Sequence, residues 1–379
     1  MKPTFRKITC IALCLALLFS VSVTGFASVA GQAVSSVFEE DAYADIVTFS
    51  DSQNFGPIAY NKFAEVLTVM RDDGMPQPDS LLVGGDFTRV LPDYATPGII
   101  QLRENYKNVY DGGDPDSVIC IQGNHDLRVP GFYPTGMYDM GKYCLYLINE
   151  DQFPWKQSAR KNAEQTVTGT AQGLKAALDG MIIADDMRPV IVMTHVPLHF
   201  TTRNDYGDNA YASYVFDVLN KAAEKLDIIF LFGHNHSGAY DDYIGGSVNF
   251  LAPGDVIRIP TAENRGENGY TEETLRFTYT NCGYIGYTKN NVTETSTNVL
   301  TLGDIRFFRD SLVILKYTEE GVFRVDEVER INPASDSDME REVPNISSRL
   351  NNTKAWKVER LIIEPIVRFF IRLFNKWLK

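Results

Sequence analysis

Residues 228–236 read Ile228-Ile229-Phe230-Leu231-Phe232-Gly233-His234-Asn235-His236, an apolar run followed at once by two histidines. Apolar runs of four to eight residues bounded by glycine or proline are typical of buried β-strands. The chain has only 5 histidines. Four of them lie in short clusters behind such runs, at Gly123-Asn124-His125-Asp126, Thr194-His195 and Gly233 to His236. We therefore expect histidine to be concentrated in one site.

Two aspartates follow apolar runs of the same kind earlier in the chain. Asp51 ends the segment 45–51, and Asp86 ends the segment 81–86. The apolar runs that precede His125 and His195 are 117–121 and 189–193. The carboxyl ends of parallel strands form one rim of an α/β sheet, and such folds bind their ligands at that rim. The sequence thus predicts five strand ends that bring their polar residues together.

The order of these blocks resembles the calcineurin-like metallophosphoesterase superfamily, whose signature is Asp-x-His, Gly-Asp, Gly-Asn-His-Asp/Glu, a single His and Gly-His-x-His. The blocks of this chain are Asp51-x-Gln53, Gly85-Asp86, Gly123 to Asp126, His195 and Gly233 to His236. The resemblance covers roughly residues 44–320 and includes the aromatic segment 277–284. It implies a hydrolase that acts on phosphoric ester bonds.

The resemblance also implies a dinuclear metal centre in which Asp86 bridges the two ions. One ion would be held by Asp51, Gln53, Asp86 and His236, and the other by Asp86, Asn124, His195 and His234. Two metals about 3.5 to 4 Å apart suit in-line displacement at phosphorus, because bound water becomes a hydroxide nucleophile near neutral pH. The leaving alkoxide needs a proton, which a histidine commonly donates. We expect His125, held by Asp126, to donate it.

Position 53 departs from the family pattern, because Gln53 stands where the pattern has histidine. Amide oxygens favour Mg²⁺, Mn²⁺ or Ca²⁺, whereas imidazole nitrogens suit Zn²⁺ and Fe. We therefore expect a labile Mn²⁺ or Mg²⁺ at the Gln53 position and Zn²⁺ or Fe as alternatives at the other. In a second interpretation, Gln53 only hydrogen-bonds a neighbouring ligand and one metal position is empty.

Two further residues are candidates for binding substrate. Arg89 follows Asp86 closely and has the planar fork that pairs with phosphate oxygens. A surface salt bridge is the alternative role for Arg89. His199 lies four residues after His195, but Pro197 excludes a regular helix, so the spacing does not place both on one face. His199 either contacts substrate phosphate or is simply solvated.

The predicted fold is an α/β sandwich of two packed mixed β-sheets flanked by helices, which is also the architecture of the family. Strand and helix patterns alternate through the first two-thirds of the chain, as in βαβ units. Helices are expected at 57–70 and 210–226. An aromatic loop insertion beside the site is expected at 128–165. A meander of three strands is expected at 298–308, 311–318 and 322–328.

Both ends of the chain are predicted to lie outside the catalytic domain, which we place at 34–330. Residues 1–33 have three basic residues before an apolar run too short to span a bilayer, the pattern of a signal peptide. Residues 331–355 form a polar linker. Residues 356–379 predict an amphipathic helix with a narrow cationic stripe, typical of membrane interfaces. A helix packed on the domain or on a partner is the alternative.

Charge separates the tail from the body of the chain. The net charge is -13, of which residues 1–33 contribute +3 and residues 356–379 contribute +4, so the body between them carries -20. Such an acidic body argues against specific nucleic-acid binding, which needs basic surface. The tail, in contrast, suits an anionic membrane surface.

These observations predict an exported, metal-dependent phosphoesterase that is secreted or peripheral on the outer face of a membrane. Its substrate is expected to be a phosphodiester or a phosphomonoester. The competing hypothesis is a non-catalytic metal-binding or interaction module, recruited to a membrane or partner by its C-terminal helix. His125 beside Asp126 argues against this hypothesis, because a binding protein needs no proton donor.

Overall fold

A computed structural model describes residues 42–52, 57–72, 74–87, 96–111, 113–126, 131–199, 209–236, 249–261, 269–289, 296–318 and 321–342, together with Phe369. Four of the sequence-based predictions lie outside these residues. They are the signal peptide at 1–33, the helix at 356–379, and the roles of Gln53 and Arg89.

The described residues alternate strands and helices in the first part of the chain and form mainly strands in the second. The helices are α1 (Pro57–Asp72), α2 (Thr96–Val109), α3 (Ala163–Ile183), α4 (Ala212–Ala222) and α5 (Asp336–Met339). The strands are β1 (Ala44–Phe49), β2 (Ser80–Val83), β3 (Val118–Cys120), β4 (Gly136–Asp139), β5 (Cys144–Ile148), β6 (Val190–Thr194), β7 (Ile228–Phe232), β8 (Phe250–Leu251), β9 (Val256–Pro260), β10 (Tyr270–Thr274), β11 (Thr278–Asn281), β12 (Gly283–Lys289), β13 (Ser296–Phe307), β14 (Ser311–Thr318) and β15 (Gly321–Glu329). No helix among these combines the length and the apolar character that a membrane crossing requires.

Most strands belong to one of two mixed sheets. The first sheet has the order β15-β14-β13-β1-β2-β3, with β12 also paired to β13, and the second has the order β4-β5-β6-β7-β11-β8. The pairs β1–β2 and β2–β3 are parallel in the first sheet, as are β5–β6, β6–β7 and β7–β11 in the second. The predicted mixed sandwich is therefore confirmed. The parallel strands lie at one end of the first sheet and in the middle of the second.

Side chains that alternate along the central strands are buried on both faces of both sheets. Ile46 and Leu82 of the first sheet pack against Ile191 and Ile229 of the second, in the layer between the sheets. The outer face of the first sheet packs against α1 and α2, and the outer face of the second packs against α3 and α4. The result is a four-layer arrangement of helices, sheet, sheet and helices.

The predicted elements outside the site mostly match the structure. The first helix begins at Pro57 as expected and ends at Asp72, where Gly74 adopts a φ of 101° and bonds back to Arg71. The meander is confirmed as β13, β14 and β15, with β13 beginning at Ser296. The predicted linker is described as far as residue 342. Its start packs on the domain, because the Asp227 carboxylate accepts the backbone N–H groups of Ile331 and Asn332.

The prediction of a loop insertion at 128–165 is wrong for the middle of that segment. Strands β4 and β5 form an antiparallel pair there, and β5 continues the second sheet by pairing in parallel with β6. All five residues of β5 are buried. A strand buried on both faces has no polar alternation along its sequence, which is why the segment lacked a recognisable period.

A buried polar cluster lies where β1 pairs with β13, on the same face of β1 as Val47. Asp45, Asp304 and Arg306 are each at most 3 % exposed. The Tyr317 hydroxyl donates to Asp304 Oδ2 at 2.9 Å, and Arg306 Nε lies 3.5 Å from Asp45 Oδ2. Burial raises the pKa of Asp304 to about 6. Burial and the neighbouring Asp304 charge raise the pKa of Asp45 well above its ordinary value.

These two carboxyl groups bind protons more tightly in the folded than in the unfolded chain. Their contribution to the free energy of unfolding is therefore largest at acid pH and declines as pH rises from about 4 through 6. We expect Asp45→Asn, a neutral group beside Asp304, to raise the free energy of unfolding by about 1–2 kcal/mol at pH 8 and hardly at all at pH 4. Denaturant unfolding of Asp45→Asn and of the unmodified protein, both stripped of metal with a chelator, measures this difference at the two pH values. An equal effect at the two pH values would contradict the prediction.

Candidate metal centre

The predicted ligands follow the carboxyl ends of five parallel strands. Asp51 follows β1, Asp86 follows β2, Asn124 follows β3, His195 follows β6, and His234 and His236 follow β7. These strands belong to both sheets, so the rim is shared between two sheets rather than formed by one. The structure brings the described members of the predicted site together, with the sandwich rather than a single sheet as their scaffold.

Backbone hydrogen bonds tie the strand ends together within and between the sheets. Asp51 N–H donates to Gly85 O at 3.0 Å, and Gly233 N–H donates to His195 O at 3.0 Å. Across the sheets, His234 N–H donates to Asp51 Oδ2 at 2.8 Å. The site therefore depends on the packing of the two sheets against each other.

Four of the candidate ligands have left-handed backbone conformations. The φ angles are 58° at Asp51, 58° at Asp86, 70° at His234 and 50° at His236. Residues other than glycine pay roughly 1 kcal/mol or more for this conformation, and such strain is concentrated at functional sites. The turns after β1, β2 and β7 thus point their side chains to one place at a local cost in stability.

The His195 ring is oriented by a bond on its far nitrogen. Nδ1 lies 2.7 Å from Gly84 O, and because a carbonyl oxygen only accepts, Nδ1 carries the proton. In the neutral ring, the Nε2 lone pair then faces Asn124 Oδ1 at 2.9 Å and Asp86 Oδ2 at 3.4 Å. His234 Nδ1 lies 2.7 Å from the same Asn124 oxygen. A cation among these atoms, either a proton on His195 Nε2 or a metal ion, satisfies the oxygen and nitrogen atoms that converge here.

Asn124 supports the same interpretation. Its Oδ1 is directed at the two imidazole nitrogens, while its buried Nδ2 has no hydrogen-bond partner among the described residues. Nitrogen and oxygen atoms in this arrangement are the donors that divalent transition metals bind. The set Asp86, Asn124, His195 and His234 therefore fits a metal.

The second set of predicted ligands lies beside the first. One ligand atom each from Asp51, Asp86 and His195 lies within 4.8 Å of the other two, and all three residues are buried. His236 Nε2 lies 3.2 Å from Asp51 Oδ1. Asp86 belongs to both predicted sets, and its carboxylate lies in the group that also contains Asp51 and His195. Gln53, the remaining predicted ligand of this set, is outside the described residues.

The charges in the site are coupled through short distances. Although burial opposes ionisation, the His236 imidazole holds the pKa of Asp51 below its ordinary value. Burial also opposes a charge on His195, but the Asp86 carboxylate raises the pKa of that imidazole to about 10. Burial and the neighbouring His195 charge lower the pKa of His234 to about 3. The cluster thus favours one positive charge next to Asp86. The predicted metal ions would lie in the same place.

Asp126 has a different role from the predicted one. Its Oδ2 accepts from the backbone N–H groups of Asp86 at 2.7 Å and Gly123 at 2.9 Å, and its Oδ1 accepts from that of Phe87 at 2.9 Å. The carboxylate therefore joins the turn after β2 to the turn after β3 rather than holding the His125 ring. It fixes the backbone that carries Asp86.

His125 adjoins the cluster through its backbone and its partly exposed side chain. Its backbone N–H donates to Asp86 Oδ1 at 2.8 Å, which fixes that carboxylate from the side opposite His195. Partial exposure is what a proton donor to a bound substrate needs. Its role as general acid stays a prediction.

His199 is not solvated, so that alternative is wrong. The residue is 1 % exposed, and its Nδ1 lies 2.8 Å from the Tyr279 hydroxyl. The ring packs edge-on against Phe232 and Tyr279. Burial lowers the pKa of His199 to about 3, so the ring is neutral. This placement argues for a packing role, and substrate contact stays an unsupported prediction.

Two aromatic residues that the sequence analysis did not single out border the cluster. The Tyr284 ring stacks on the His236 ring with centroids 5.3 Å apart, and the Trp155 ring lies 5.9 Å from that of His234. Tyr284 belongs to the aromatic segment after β7 that the family resemblance covers. Trp155 lies in the segment that was expected to be a loop, where many aromatics and no period gave no reason to choose one of them.

The glycines beside the ligands allow an unusually close approach of backbone to carboxylate. A Cβ at Gly123 would overlap the Asp86 carboxylate and backbone nitrogen. We expect Gly123→Ala to lower the free energy of unfolding by about 2–4 kcal/mol and to weaken metal binding, because the Asp86 turn must shift. Gly180→Ala in α3 is the matched control, since a Cβ there meets no atom within 4 Å. Thermal melting compares Gly123→Ala with Gly180→Ala, and equal melting temperatures of the two variants would refute the prediction.

Comparison with known proteins places the chain in a family. The model of the calcineurin-like phosphoesterase family matches residues 44–238. No curated protein matches the chain significantly. Among solved structures, a dimetal phosphatase from Danio rerio is 12 % identical, with 75 % of this chain and 99 % of that chain covered and a TM-score of 0.42. GAP50, described as the anchor in the inner membrane complex of Plasmodium, is 12 % identical, with coverages of 77 % and 89 % and a TM-score of 0.43.

The matched residues contain every described ligand of the cluster, from Asp51 to His236. The match covers more than half of the chain. The chain therefore belongs to the calcineurin-like phosphoesterase family, whose members are hydrolases of phosphoric ester bonds.

Proposed function

We propose that this protein is an exported, metal-dependent phosphoesterase that hydrolyses a phosphodiester or a phosphomonoester, with His125 as the general acid. The observation that supports it most is the convergence of Asn124 and Asp86 on His195. Asn124 Oδ1 lies 2.9 Å and Asp86 Oδ2 lies 3.4 Å from His195 Nε2. Oxygen and nitrogen atoms grouped in this way suit the binding of a cation, whereas side-chain packing alone does not require them.

The residues divide between two proposed metal positions. Asp86, Asn124, His195 and His234 would hold one ion, and Asp51, Gln53, Asp86 and His236 would hold the other. When bound, two divalent ions neutralise the phosphate and lower the pKa of water enough for nucleophilic attack at neutral pH. The oxygen of Gln53 favours Mn²⁺ or Mg²⁺ at its position, whereas the imidazole-rich set also suits Zn²⁺ or Fe.

The chain's own residues supply the remaining parts of the reaction. His125 would protonate the leaving alkoxide, because its side chain is partly exposed beside Asp86. Asp126 keeps Asp86 in place through three backbone hydrogen bonds. Tyr284, stacked on His236, limits the rotation of that ring. The acidic body of the protein leaves the binding of substrate phosphate largely to the metals.

The experiment that tests this proposal is metal reconstitution after chelation. Hydrolysis of p-nitrophenyl phosphate and bis(p-nitrophenyl) phosphate is measured with Mn²⁺, Mg²⁺, Zn²⁺ or Ca²⁺ added singly. We expect Mn²⁺ or Mg²⁺ to restore turnover, and Gln53→His to shift the preference toward Zn²⁺. Turnover by the chelated protein in the absence of added metal would overturn the proposal. An unchanged preference in the variant would show that Gln53 is not a ligand.

The ends of the chain suggest where the protein acts. The basic and then apolar residues 1–33 support export, and the cationic amphipathic residues 356–379 support contact with an anionic membrane. Cosedimentation with vesicles of anionic or neutral phospholipid tests the second point. Full-length protein should bind the anionic vesicles only, and a chain truncated before residue 356 should bind neither. Equal binding of the two proteins would exclude the tail as the membrane contact.

A further inference from the structure

A segment next to the metal centre, residues 149–160, is held in place by the loop that carries Asn124. It directly follows β5, whose carboxyl end lies at the same rim as the ligands because β5 and β6 are parallel. The Asn149 side-chain oxygen accepts the backbone N–H of Gln122 at 2.8 Å, and Glu150 N–H donates to Gln122 O at 3.3 Å. Gln122 immediately precedes the Gly123 to Asp126 motif. The segment and the ligand loop are therefore one unit.

Buried polar groups fix the conformation of this segment. Glu150 is 5 % exposed, and its carboxylate pairs with Arg160 at 2.5 Å and accepts the backbone N–H of Trp155. The buried Gln157 side chain accepts the N–H of Tyr211 at 2.8 Å. A segment tied at both ends and in the middle holds its side chains in defined positions.

Trp155 is held next to the centre, and Lys156 lies over the Trp155 ring. The Trp155 ring lies 5.9 Å from the His234 ring, and the Lys156 ammonium lies 4.5 Å from the centre of the Trp155 ring. Lys156 has a left-handed φ of 52°, which a lysine adopts only at a cost. The left-handed backbone at Lys156 and the contact with the Trp155 ring together position this partly exposed ammonium.

The charge of Lys156 is not balanced by an acidic neighbour. Among the described residues, no carboxylate lies within ion-pair distance of its ammonium, although Arg160 in the same segment is paired with Glu150. What distinguishes the Lys156 ammonium is its position over the Trp155 ring, which itself lies next to His234. The ammonium also covers one face of the Trp155 ring, so an aromatic substrate group would have to compete with it there. Recognition by charge therefore fits better than recognition by stacking.

We propose that Lys156, positioned by Trp155, is an anion subsite that determines substrate specificity. It binds a second negative group, a phosphate or a carboxylate, on the alcohol part of the phosphoric ester. This inference rests on the proposed function, because it assigns the scissile phosphate to the metal centre. Preferred substrates would then carry at least one anionic group in addition to the phosphate that is cleaved.

Binding of two matched phosphonates tests the subsite without requiring turnover. Phenylphosphonate and 4-carboxyphenylphosphonate differ only in the second anionic group, and calorimetry measures the affinity of the Mn²⁺-loaded full-length protein for each. We expect the carboxylated probe to bind about tenfold more tightly. Lys156→Ala should remove this preference and change the affinity for phenylphosphonate less than about twofold.

Matched variants separate a subsite from a general effect of charge or packing. Lys156→Arg should keep most of the preference, and Lys161→Ala, at an exposed lysine of the neighbouring turn, should keep all of it. Trp155→Leu should lose the preference, because the ammonium loses its platform, whereas Trp155→Phe should retain part of it. Equal affinity of the unmodified protein for both probes, or an equal loss for both in Lys156→Ala, would overturn the proposal.

The two proposals fail in different ways. A preference for the carboxylated probe in a protein that shows no turnover with any metal would support the subsite and contradict the phosphoesterase function. Metal-dependent turnover without a preference for the carboxylated probe would support the phosphoesterase function and contradict the subsite.

Discussion

Replacement of Asp86 by asparagine is expected to lower kcat/KM for aryl phosphate esters at least about 10³-fold, equivalent to about 4 kcal/mol of transition-state stabilisation. Asp86 lies between the two proposed metal positions, with Oδ1 bonded to His125 N–H at 2.8 Å and Oδ2 3.4 Å from His195 Nε2. Asparagine retains the shape and the oxygen that accepts this N–H, but it has no charge with which to bridge two cations. Steady-state kinetics at saturating Mn²⁺ measure the loss.

A matched variant distinguishes a metal bridge from a general effect of lost charge. Asp179→Asn removes a carboxylate from the exposed face of α3, where its partner is Lys175, and should leave kcat/KM within about twofold. Circular dichroism of Asp86→Asn should show an intact fold. Turnover within tenfold of the unmodified protein in Asp86→Asn would mean that the reaction does not depend on this carboxylate.

Replacement of His125 by glutamine is expected to lower kcat by about 10²- to 10⁴-fold for esters with poor leaving groups. A general acid matters most when the departing alkoxide is strongly basic, so an alkyl ester should be affected far more than a p-nitrophenyl ester. The measurement is the dependence of kcat on the pKa of the leaving alcohol, in both proteins. The slope should be steeper in the variant.

Metal affinity is the control for His125→Gln. The side chain of His125 is not among the proposed ligands, so Mn²⁺ binding should remain within about threefold of the original. An equal fractional loss of kcat for alkyl and p-nitrophenyl esters would contradict the general-acid role. It would indicate instead that His125 acts in substrate binding or in positioning Asp86.

Strand positions could be predicted from the sequence because the site lies where apolar runs end. The run Ile228 to Phe232 matches β7 residue for residue, and the runs before Asp86 and His195 match β2 and β6 to within two residues at their starts. Buried parallel strands are continuous apolar runs, which makes them visible without an alignment. The resemblance to the family then indicated which of these strand ends contribute residues to one site.

Contacts made by tertiary packing could not be predicted in the same way. Asp126 is next to His125 in sequence, but its carboxylate bonds to backbone groups 39 and 40 residues away. His199 lies four residues after His195, and only its packing against Phe232 and Tyr279 shows that it is buried. Trp155 approaches His234 because β5 lies in the second sheet, which its aperiodic sequence concealed.

The most direct test of the central claim is anomalous diffraction from crystals of the protein grown with Mn²⁺. We expect one anomalous peak among Asp86, Asn124, His195 and His234 and a second among Asp51, Gln53, Asp86 and His236. A single peak at the first position would mean that the second position, formed by Asp51, Gln53, Asp86 and His236, is empty, and that the centre holds one metal. The absence of any peak within coordination distance of Asp86, in a crystal saturated with Mn²⁺, would contradict the claim that this rim is a metal centre.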